Sequence, residues 1–370
     1  MNILGLIFSN IHNKELFEVT RRRTIASTPI GGRYRLIDFA LSNMVNYNIT
    51  RIGIVTKHNY QSLMDHIGSG KDWDLARKNG GIVILPPFGV SADFYNTRLE
   101  ALKSIISFIN SSRADYVVLT DCYAVANLDY RDIFNQHFAT GADITFVYRE
   151  CDVTPDDYMP VNVLTLDDDG RITNMSIYQT FAGHAKVSAD TWVMKKSLLQ
   201  SLVLDAINRN LRSFNRDIIS HNLDVLKVYG YRFDGYFGNI SSLDSYYKIN
   251  MKLLDPKVRA ELFQQPRRPI YTKVHDSAPT KYGVAAEITN SLVADGCEIE
   301  GRVENSVIFR GAKIGKNAVV KNSILMQNTY VADGAVLDHV ITDKNVKIIN
   351  KKEIIGDENR LAYIVKDGVV

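Results

Sequence analysis

The chain has 370 residues, of which 45% are hydrophobic and 23% are charged, proportions that are typical of a globular protein. Its 44 basic and 41 acidic residues leave a formal net charge of +3, so the overall charge does not indicate a nucleic-acid partner or an anionic membrane. The length exceeds what one hydrophobic core usually holds and favours two domains.

The cysteines indicate neither a zinc knuckle nor a disulfide framework. Cys122, Cys151 and Cys297 lie far apart and form no C-x-x-C pair, which fits a reducing compartment. The apolar run Leu4–Phe8 is too short for the core of a signal peptide, and no stretch approaches the roughly 20 apolar residues of a membrane span. We expect a cytoplasmic protein that binds no membrane.

The first 250 residues alternate β-rich runs with helical patterns, which predicts a mostly parallel sheet covered by helices. The predicted strands are Ile3–Phe8, Arg51–Thr56, Gly81–Leu85, Tyr116–Leu119, Ile144–Tyr148 and Val225–Phe233. The predicted helices span residues 35–46, 97–109, 129–138 and 243–254. In sheets of this kind, ligands bind beyond the carboxyl ends of the strands.

Two further patterns define the organisation. Alternating runs flank Asp169-Gly170 and predict a hairpin over 161–178. Prolines and charges after Asp255-Pro256 predict a linker over 255–285, which separates an α/β domain (1–254) from a C-terminal domain (286–370).

The C-terminal domain has a period of six residues. Bulky aliphatic residues recur at this spacing at Val293, Ile299, Ile308, Ile314, Val320, Leu325, Val331 and Leu337. Such a repeat is typical of a hexapeptide β-helix, in which each coil buries its aliphatic residues in a stack. An antiparallel sandwich with chance spacing is the alternative.

One stretch is far more specific than the rest of the sequence. Residues 28–67 read TPIGGRYRLIDFALSNMVNYNITRIGIVTKHNYQSLMDHI, and Gly31–Phe39 followed by Leu41-Ser42-Asn43 closely resembles the signature of bacterial glucose-1-phosphate adenylyltransferases, also called ADP-glucose pyrophosphorylases. The resemblance covers the whole chain. It implies an α/β Rossmann-like (GT-A-like) nucleotidyltransferase domain followed by a left-handed parallel β-helix of hexapeptide repeats.

The resemblance also implies an activity. Active members make ADP-glucose and pyrophosphate from ATP and glucose 1-phosphate for glycogen synthesis, and they form tetramers controlled by phosphorylated metabolites. The family's first loop is glycine-rich, so that backbone N–H groups approach the nucleotide phosphates. The matching residues 10–16 contain no glycine, and Glu15 stands where the family has an arginine. Ile25 replaces a lysine that would neutralise the transferred phosphoryl group.

The positions of the family's metal ligands are changed as well. Tyr123 and Asn239 match its two magnesium-binding aspartates, and the nearby Asp121 lies two residues before the first match. The family's sugar-phosphate lysine finds Tyr178-Gln179 in its place. Because Mg²⁺ is usually held by carboxylates and substrate phosphates, we expect no metal site, no catalytic residue and no cofactor in this chain.

The basic residues of the family's effector pocket are better preserved. Arg22, Arg23 and Arg35 match basic positions there, whereas Pro29 and Thr50 replace a histidine and an arginine. Arginines clustered in this way bind phosphate in a bidentate manner, which predicts a site for a phosphorylated effector. The alternative is a basic strip that is solvated or contacts another subunit.

Other polar groups have simpler interpretations. His58 and His66 have no partner at metal-ligand spacing and are expected at the surface or in packing positions. Asp167, Asp168 and Asp169 lie at a hairpin tip, where acidic turn residues are common.

The pattern of losses resembles that of the family's D-type subunits, which occur beside a catalytic C-type subunit. The leading hypothesis is a catalytically silent regulatory subunit of a heterotetrameric ADP-glucose pyrophosphorylase, in which only the catalytic partner needs Mg²⁺. The alternatives are a weakly active adenylyltransferase that uses Asp121, a stand-alone sensor of sugar phosphates or nucleotides, and, remotely, a hexapeptide acyltransferase that uses His339.

Overall fold

The computed structural model describes residues 1–9, 17–87, 95–153, 161–178, 180–349 and 352–370. Its α/β domain contains the strands β1 (Ile3–Phe8), β2 (Pro29–Ile30), β3 (Tyr34–Arg35), β4 (Arg51–Val55), β5 (Gly81–Leu85), β6 (Tyr116–Asp121), β7 (Ala124–Ala126), β8 (Ile144–Val153), β9 (Val161–Leu166), β10 (Ile172–Tyr178), β11 (Gly183–Lys195), β12 (Val228–Arg232) and β13 (Phe237–Asn239). Its helices are α1 (Phe17–Thr20), α2 (Leu36–Asn46), α3 (Gln61–Ile67), α4 (Arg98–Ser104), α5 (Ile106–Ser111), α6 (Tyr130–Ala139), α7 (Lys196–Asn208), α8 (Leu243–Lys252) and α9 (Pro256–Phe263).

A mixed sheet forms the centre of the α/β domain. Its order is β10-β9-β11-β6-β1-β4-β5, and β8 pairs with β11 and β12. Strand β1 runs parallel to both β4 and β6, whereas β11 is antiparallel to β6. Strand β1 lies inside the sheet because its apolar side chains, such as Leu6 and Ile7, are buried on both faces.

Most predicted elements are present, with two informative differences. Strand β6 continues beyond Leu119 to Asp121, which brings that carboxylate to the carboxyl end of a parallel strand. The helix predicted over 97–109 is interrupted at Ile105 and forms α4 and α5. The Ser104 hydroxyl donates a hydrogen bond to the Ala101 carbonyl at 2.7 Å, and such side-chain bonds compete with those of the helix.

The C-terminal domain is a left-handed parallel β-helix with three stacked sheets. Its strands are β14 (Lys281–Tyr282), β15 (Glu287–Thr289), β16 (Leu292–Val293), β17 (Glu298–Ile299), β18 (Arg302–Glu304), β19 (Val307–Ile308), β20 (Lys313–Ile314), β21 (Val319–Lys321), β22 (Ile324–Leu325), β23 (Tyr330–Val331), β24 (Val336–Asp338), β25 (Val340–Thr342), β26 (Lys347–Ile348), β27 (Glu353–Ile355) and β28 (Ala362–Ile364). Every third strand joins the same sheet, as in β16-β19-β22-β25-β28. The six-residue period is confirmed, because its aliphatic residues pack together inside the coils.

The segment predicted as a linker contains regular structure. Helix α9 lies within residues 255–285, and so does β14, which pairs with β17 in the β-helix. Phe263 at the end of α9 stacks on Tyr34, with ring centroids 4.9 Å apart. The segment therefore packs on the α/β domain and also begins the β-helix.

The two domains share a hydrophobic core. Tyr246 of α8 and Leu253, which follows the helix, pack in one cluster with Phe309, Met326 and Ile341 of the β-helix. The signature residues Gly31 and Gly32 form the turn between β2 and β3 with φ values of +59° and +83°, a conformation that favours glycine. The Gly31 N–H donates to Asn250 Oδ1 of α8 at 3.0 Å, which fixes the signature against this junction.

Candidate functional site

A cleft of about 410 Å³ opens beside the carboxyl end of β6. Its described lining is mostly polar or basic and comes from α4, β8, β9, β10, β11, β13, the link between β6 and β7, and the segment after α7. It includes Asn96, Arg98, Tyr123, Arg149, Asn162, Ser188, Asp190, Ser213, Asn215, Arg216 and Asn239. The cleft thus occupies the place where α/β sheets bind ligands.

A buried arginine lies between two carboxylates in this cleft. Arg98 Nη2 is 2.5 Å from Asp121 Oδ2 and 2.8 Å from Asp190 Oδ2, and Arg98 Nε donates to Asp121 Oδ1 at 3.3 Å. The guanidinium also lies over the Trp192 ring, 4.8 Å from its centroid, which adds a cation–π contact. All three charged side chains are buried. Each charge therefore needs an opposite charge beside it, because an unpaired buried charge is strongly unfavourable.

Asp190 is the centre of this network. It lies in an irregularity of β11, between Ser188 and Trp192, and has a φ of +47°. Its carboxylate accepts hydrogen bonds from the Tyr123 hydroxyl and from Asn162 Nδ2. A left-handed aspartate is uncommon, and such strain persists only where the surroundings enforce it.

Burial and charge together set the protonation of the network. Burial raises the pKa of Asp121 to about 6, against the lowering by Arg98, and the Asp190 charge raises it further. Burial lowers the pKa of Arg98, but Asp121 and Asp190 outweigh that effect and raise it. Burial, with Asp190 and Asp121, raises the pKa of Tyr123 well above its usual range, so its hydroxyl remains a donor.

Two amide oxygens in the cleft have no partner among the described residues. They are Asn215 Oδ1 and Asn239 Oδ1, and both atoms are buried. A buried acceptor without a partner carries a desolvation cost. These oxygens are therefore available to donors on a ligand in the cleft.

The structure places three of the four altered catalytic positions. Tyr123 and Asn239 both line the cleft; Tyr123 directly precedes β7, and Asn239 ends β13, which pairs with β7. Ile25 is a buried core residue in a short turn at Ile25–Ser27 and brings no charge. Glu15 lies outside the described residues.

The described residues of the cleft do not fit a Mg²⁺ ion. Tyr123 and Asn239 are neutral, and the Asp121 carboxylate is already bound by Arg98. Within the described ranges, no group of three or more histidine, cysteine, aspartate or glutamate side chains is arranged for a metal. Hard divalent cations require carboxylate oxygens that are free to coordinate.

The three arginines of the predicted effector site lie at the junction between the domains, in different environments. Arg23 is 2% exposed, and its Nη2 is 2.6 Å from Asp343 Oδ1 in the β-helix. The Tyr363 hydroxyl donates to the other oxygen of Asp343 at 3.0 Å. Arg23 therefore links the two domains through a buried ion pair.

Arg22 and Arg35 form no buried ion pair among the described residues. Arg22 is exposed, and its Nη1 is 3.2 Å from Asp367 Oδ2. Arg35 Nη1 donates to the Ser62 carbonyl and hydroxyl at 2.5 and 3.0 Å. Burial lowers the pKa of Arg35 to about 10; Asp38 opposes this effect, and Arg23 adds to it.

Lys344 of the β-helix adds a further positive charge beside Arg23 and Arg35. Its Nζ has no hydrogen-bonding or ion-pairing partner in the part of the chain that the structure describes. Burial lowers the pKa of Lys344 to about 7, followed by the charges of Arg35 and Arg23, while Asp343 raises it and Lys366 lowers it. Arg35 and Lys344 thus bring positive charge to the junction without an ion pair to either side chain among the described residues.

The simpler interpretations agree with the geometry. His66 is buried, with Nε2 at 2.6 Å from Asp38 Oδ1, and it packs against Trp73. Asp167 Oδ1 accepts the N–H groups of Asp169 and Arg171 at the hairpin tip. Among the described helices, none combines the length and apolar character needed to cross a membrane.

The sequence interpretation missed Arg98, Asp190 and Lys344. Two signals were available for the cleft. Arg98 is a cation in the first turn of α4, where the helix dipole favours acidic residues. Asp190-Thr191 places two polar residues within the part of β11 that is buried from Val187 to Met194. Each polar residue required a buried partner, but the sequence could not indicate that Asp190 was the partner of Arg98.

Comparisons with known proteins agree with this organisation. The nucleotidyl transferase family profile matches residues 12–255, and the GlmU-like C-terminal hexapeptide profile matches residues 274–369. "Glycogen biosynthesis protein GlgD" of Bacillus subtilis (strain 168) is 31% identical over 369 residues, which cover 100% of this chain and 96% of that protein.

Two further relatives represent both kinds of protein in this group. The Geobacillus stearothermophilus "Glycogen biosynthesis protein GlgD" is 36% identical over 86% of this chain and 82% of its own length. "Glucose-1-phosphate adenylyltransferase" of Pseudothermotoga lettingae is 33% identical over 86% of this chain and 76% of its own length. The chain therefore belongs to the bacterial glucose-1-phosphate adenylyltransferase family and resembles its GlgD-type members over its whole length.

Proposed function

We propose that this chain is a regulatory, catalytically silent or strongly impaired subunit of an ADP-glucose pyrophosphorylase in bacterial glycogen biosynthesis. The observation that carries the proposal is the network at the cleft. Tyr123 stands at a metal-ligand position of the family and donates to Asp190, while Arg98 binds the neighbouring Asp121. Arg98, Asp121, Asp190 and Tyr123 are thus bonded to each other and not offered to a reaction.

The losses affect separate parts of the chemistry. Transfer of a nucleotidyl group depends on cations that neutralise charge in the transition state. Ile25 supplies no charge, Glu15 repels phosphate, and Tyr123 and Asn239 replace carboxylates. Because each position serves a different interaction, no single compensating residue restores all of them. We therefore assign the Mg²⁺-dependent step to a catalytic partner.

The junction between the domains supports a regulatory role. Arg22, Arg23 and Arg35 are proposed to surround a phosphorylated metabolite. Arg35 and Lys344 carry charges without a carboxylate partner within 4 Å among the described residues, while Arg23 connects the domains through Asp343. An anion bound there would contact both domains and favour one arrangement of them.

The proposed partner is a catalytic C-type subunit, in a heterotetramer with this chain. Regulation then follows from a population shift, because assembly with this chain stabilises one conformation of the partner more than another. Effector and substrate affinities become linked through the same equilibrium, since coupling between two binding sites is reciprocal.

The test is an assay of ADP-glucose formation from ATP and glucose 1-phosphate with Mg²⁺. We expect no turnover by the purified chain alone, and a changed rate, substrate affinity or phosphate response when it is mixed with the C-type subunit. Robust turnover by the chain alone would contradict the proposal that it is catalytically silent. A C-type subunit whose rate, substrate affinity and phosphate response stay unchanged would contradict the proposed regulatory role.

An Asp121 variant in this assay and a calorimetric measurement test the two alternatives, a weakly active enzyme and a stand-alone sensor. A weakly active enzyme would need Asp121, which ends β6 at the edge of the cleft, so weak turnover that Asp121→Asn abolishes would favour that alternative. A stand-alone sensor would bind a sugar phosphate tightly in calorimetry without any partner, and would leave the partner's kinetics unchanged.

A further inference from the structure

We propose that the guanidinium of Arg98 is a built-in cation that occupies the place of a divalent metal ion in the cleft and excludes one. The inference rests on the proposed function, since it takes the cleft to work without metal-dependent catalysis. Its test measures cation binding and not ADP-glucose formation, so the two proposals fail independently.

The geometry places one positive group between two carboxylates. A single nitrogen, Arg98 Nη2, contacts Asp121 Oδ2 and Asp190 Oδ2 at 2.5 and 2.8 Å. A hard divalent ion at this edge of the sheet would need the same oxygens, because such ions are held through one or two carboxylates. Occupation by the guanidinium and by a metal ion are therefore mutually exclusive.

The cation is also fixed in position. Its face is covered by Trp192, and its helix is held at the preceding residue, where Thr97 caps α4 by accepting the Glu100 N–H at 3.2 Å. Arginine stays charged at all ordinary pH values. A dissolved ion would have to displace the Arg98 guanidinium, which is buried and is covalently attached to the chain.

The surroundings of Asp190 show that the carboxylates are arranged around a cation. The Asp190 backbone adopts a left-handed conformation, and Tyr123 and Asn162 donate to its carboxylate without adding charge. Without Arg98, Asp190 would be buried with the neutral donors Tyr123 and Asn162, and Asp121 would lose two hydrogen bonds from a cation, which is strongly unfavourable. Uptake of a cation would relieve that penalty, so the variant chain should hold a latent metal site.

The oxygen atoms for such a site are present in the same cleft. Asn215 Oδ1 and Asn239 Oδ1 lack partners among the described residues and are of the neutral type that complements carboxylates around hard cations. The cleft thus holds neutral oxygens of the type that a cation replacing Arg98 would need.

The experiment titrates Mn²⁺ alone into the full chain and follows free Mn²⁺ by electron paramagnetic resonance. We expect wild type and Asp121→Asn to show the same weak binding. Arg98→Met should gain one site that is at least about tenfold tighter, because Asp121 and Asp190 have then lost the cation that they share. The gain should vanish in Arg98→Met/Asp190→Asn. Arg216→Met is the matched control, since Arg216 lines the same cleft but is exposed and pairs with Asp217.

Two results overturn the proposal. One is a wild-type Mn²⁺ site that Asp121→Asn removes. The other is an Arg98→Met chain with native circular dichroism and no gain in Mn²⁺ affinity. If Arg98→Met does not fold, the comparison of wild type with Asp121→Asn decides, because the proposal requires equal binding by the two. Turnover of ADP-glucose by a chain without a Mn²⁺ site would contradict only the silent-subunit proposal.

Discussion

At the scale of single residues, two neighbouring arginines make contrasting links to the β-helix. Arg23 pairs with Asp343 in a buried environment, and Arg22 pairs with Asp367 at the surface. We expect Arg23→Met to lower the free energy of unfolding by about 3 kcal/mol, because Asp343 keeps a buried charge without its cation. Arg22→Met should change it little, since water replaces an exposed pair. Urea unfolding followed by circular dichroism measures both, and equal losses would contradict the assignment of Arg23 as the domain link.

Lys344 should make anion binding at the junction depend on pH. Its pKa of about 7 reflects burial and the charges of Arg35 and Arg23, with Asp343 and Lys366 acting in opposite directions. A bound anion favours the charged amine and raises this pKa, so affinity should be highest below pH 7 and fall as pH rises through it.

Sulfate is the suitable probe because its charge is constant over this range. Calorimetry at pH 6 and pH 9, at constant ionic strength, should give tighter binding at pH 6. Lys344→Met should bind weakly at both values. A wild-type chain with equal affinities at the two pH values would exclude Lys344 as the titrating group.

The sequence identified the replaced catalytic positions of the cleft more completely than the buried ion pairs that the cleft contains. Tyr123 and Asn239 could be recognised by matching motifs, because their positions relative to neighbouring residues are preserved. Arg98 and Asp190 lie 92 positions apart in the sequence, and the pairing of β11 with β6 brings Asp190 near Asp121, which Arg98 also contacts. A buried ion pair between distant elements has no local pattern from which it could be predicted.

At the scale of elements, the turns of the β-helix depend on asparagine. Asn305 and Asn322 have φ values of +46° and +44°, and a side-chain ladder runs from Asn290 through both to Asp338. Asparagine tolerates the left-handed conformation and bonds to its neighbours in the stack. These two properties explain why the corners of successive coils carry the same residue.

Two substitutions at Asn322 separate these properties. Asn322→Gly removes the ladder bonds but keeps the left-handed turn free of strain, whereas Asn322→Ala removes the bonds and adds strain. We expect Ala to be less stable than Gly by roughly 1–2 kcal/mol, measured by urea unfolding. If the glycine variant were the less stable one, backbone conformation would not be the dominant contribution at this corner.

Element types could be predicted well because they depend on local periodicity. Aliphatic residues six apart define the coils, and Ile299, Ile314 and Val331 indeed stack in one sheet. The break at Ile105 could not be predicted from periodicity, because the apolar pattern continues through it into α5. At this point the Ser104 hydroxyl donates to the Ala101 carbonyl, a local contact that periodicity does not describe.

At the scale of the whole molecule, the β-helix packs directly on the α/β domain and shares a hydrophobic core with it. Phe309 and Met326 follow the inward-facing Ile308 and Leu325, and they pack against α8 in the shared core. The six-residue period describes only the interior of the coils, so the sequence predicted a linker where the structure has a continuous interface. Large apolar residues directly after the repeat positions were the available signal.

This interface leads to the prediction that effector response and assembly are separable. Lys344→Met changes one side chain at the junction, next to Arg23 and Arg35, and removes none of the packing in the shared core. Mixed with the C-type subunit, the variant should assemble as wild type does and give the same rate without effector. The concentrations of inorganic phosphate or a sugar bisphosphate that produce half of the effect should rise about tenfold, within the usual range of allosteric coupling.

Lys313→Met is the control, because Lys313 pairs with Glu298 on an exposed sheet of the β-helix. Size-exclusion chromatography and the ADP-glucose assay measure the two properties, and an unchanged effector response would move the regulatory site away from this junction.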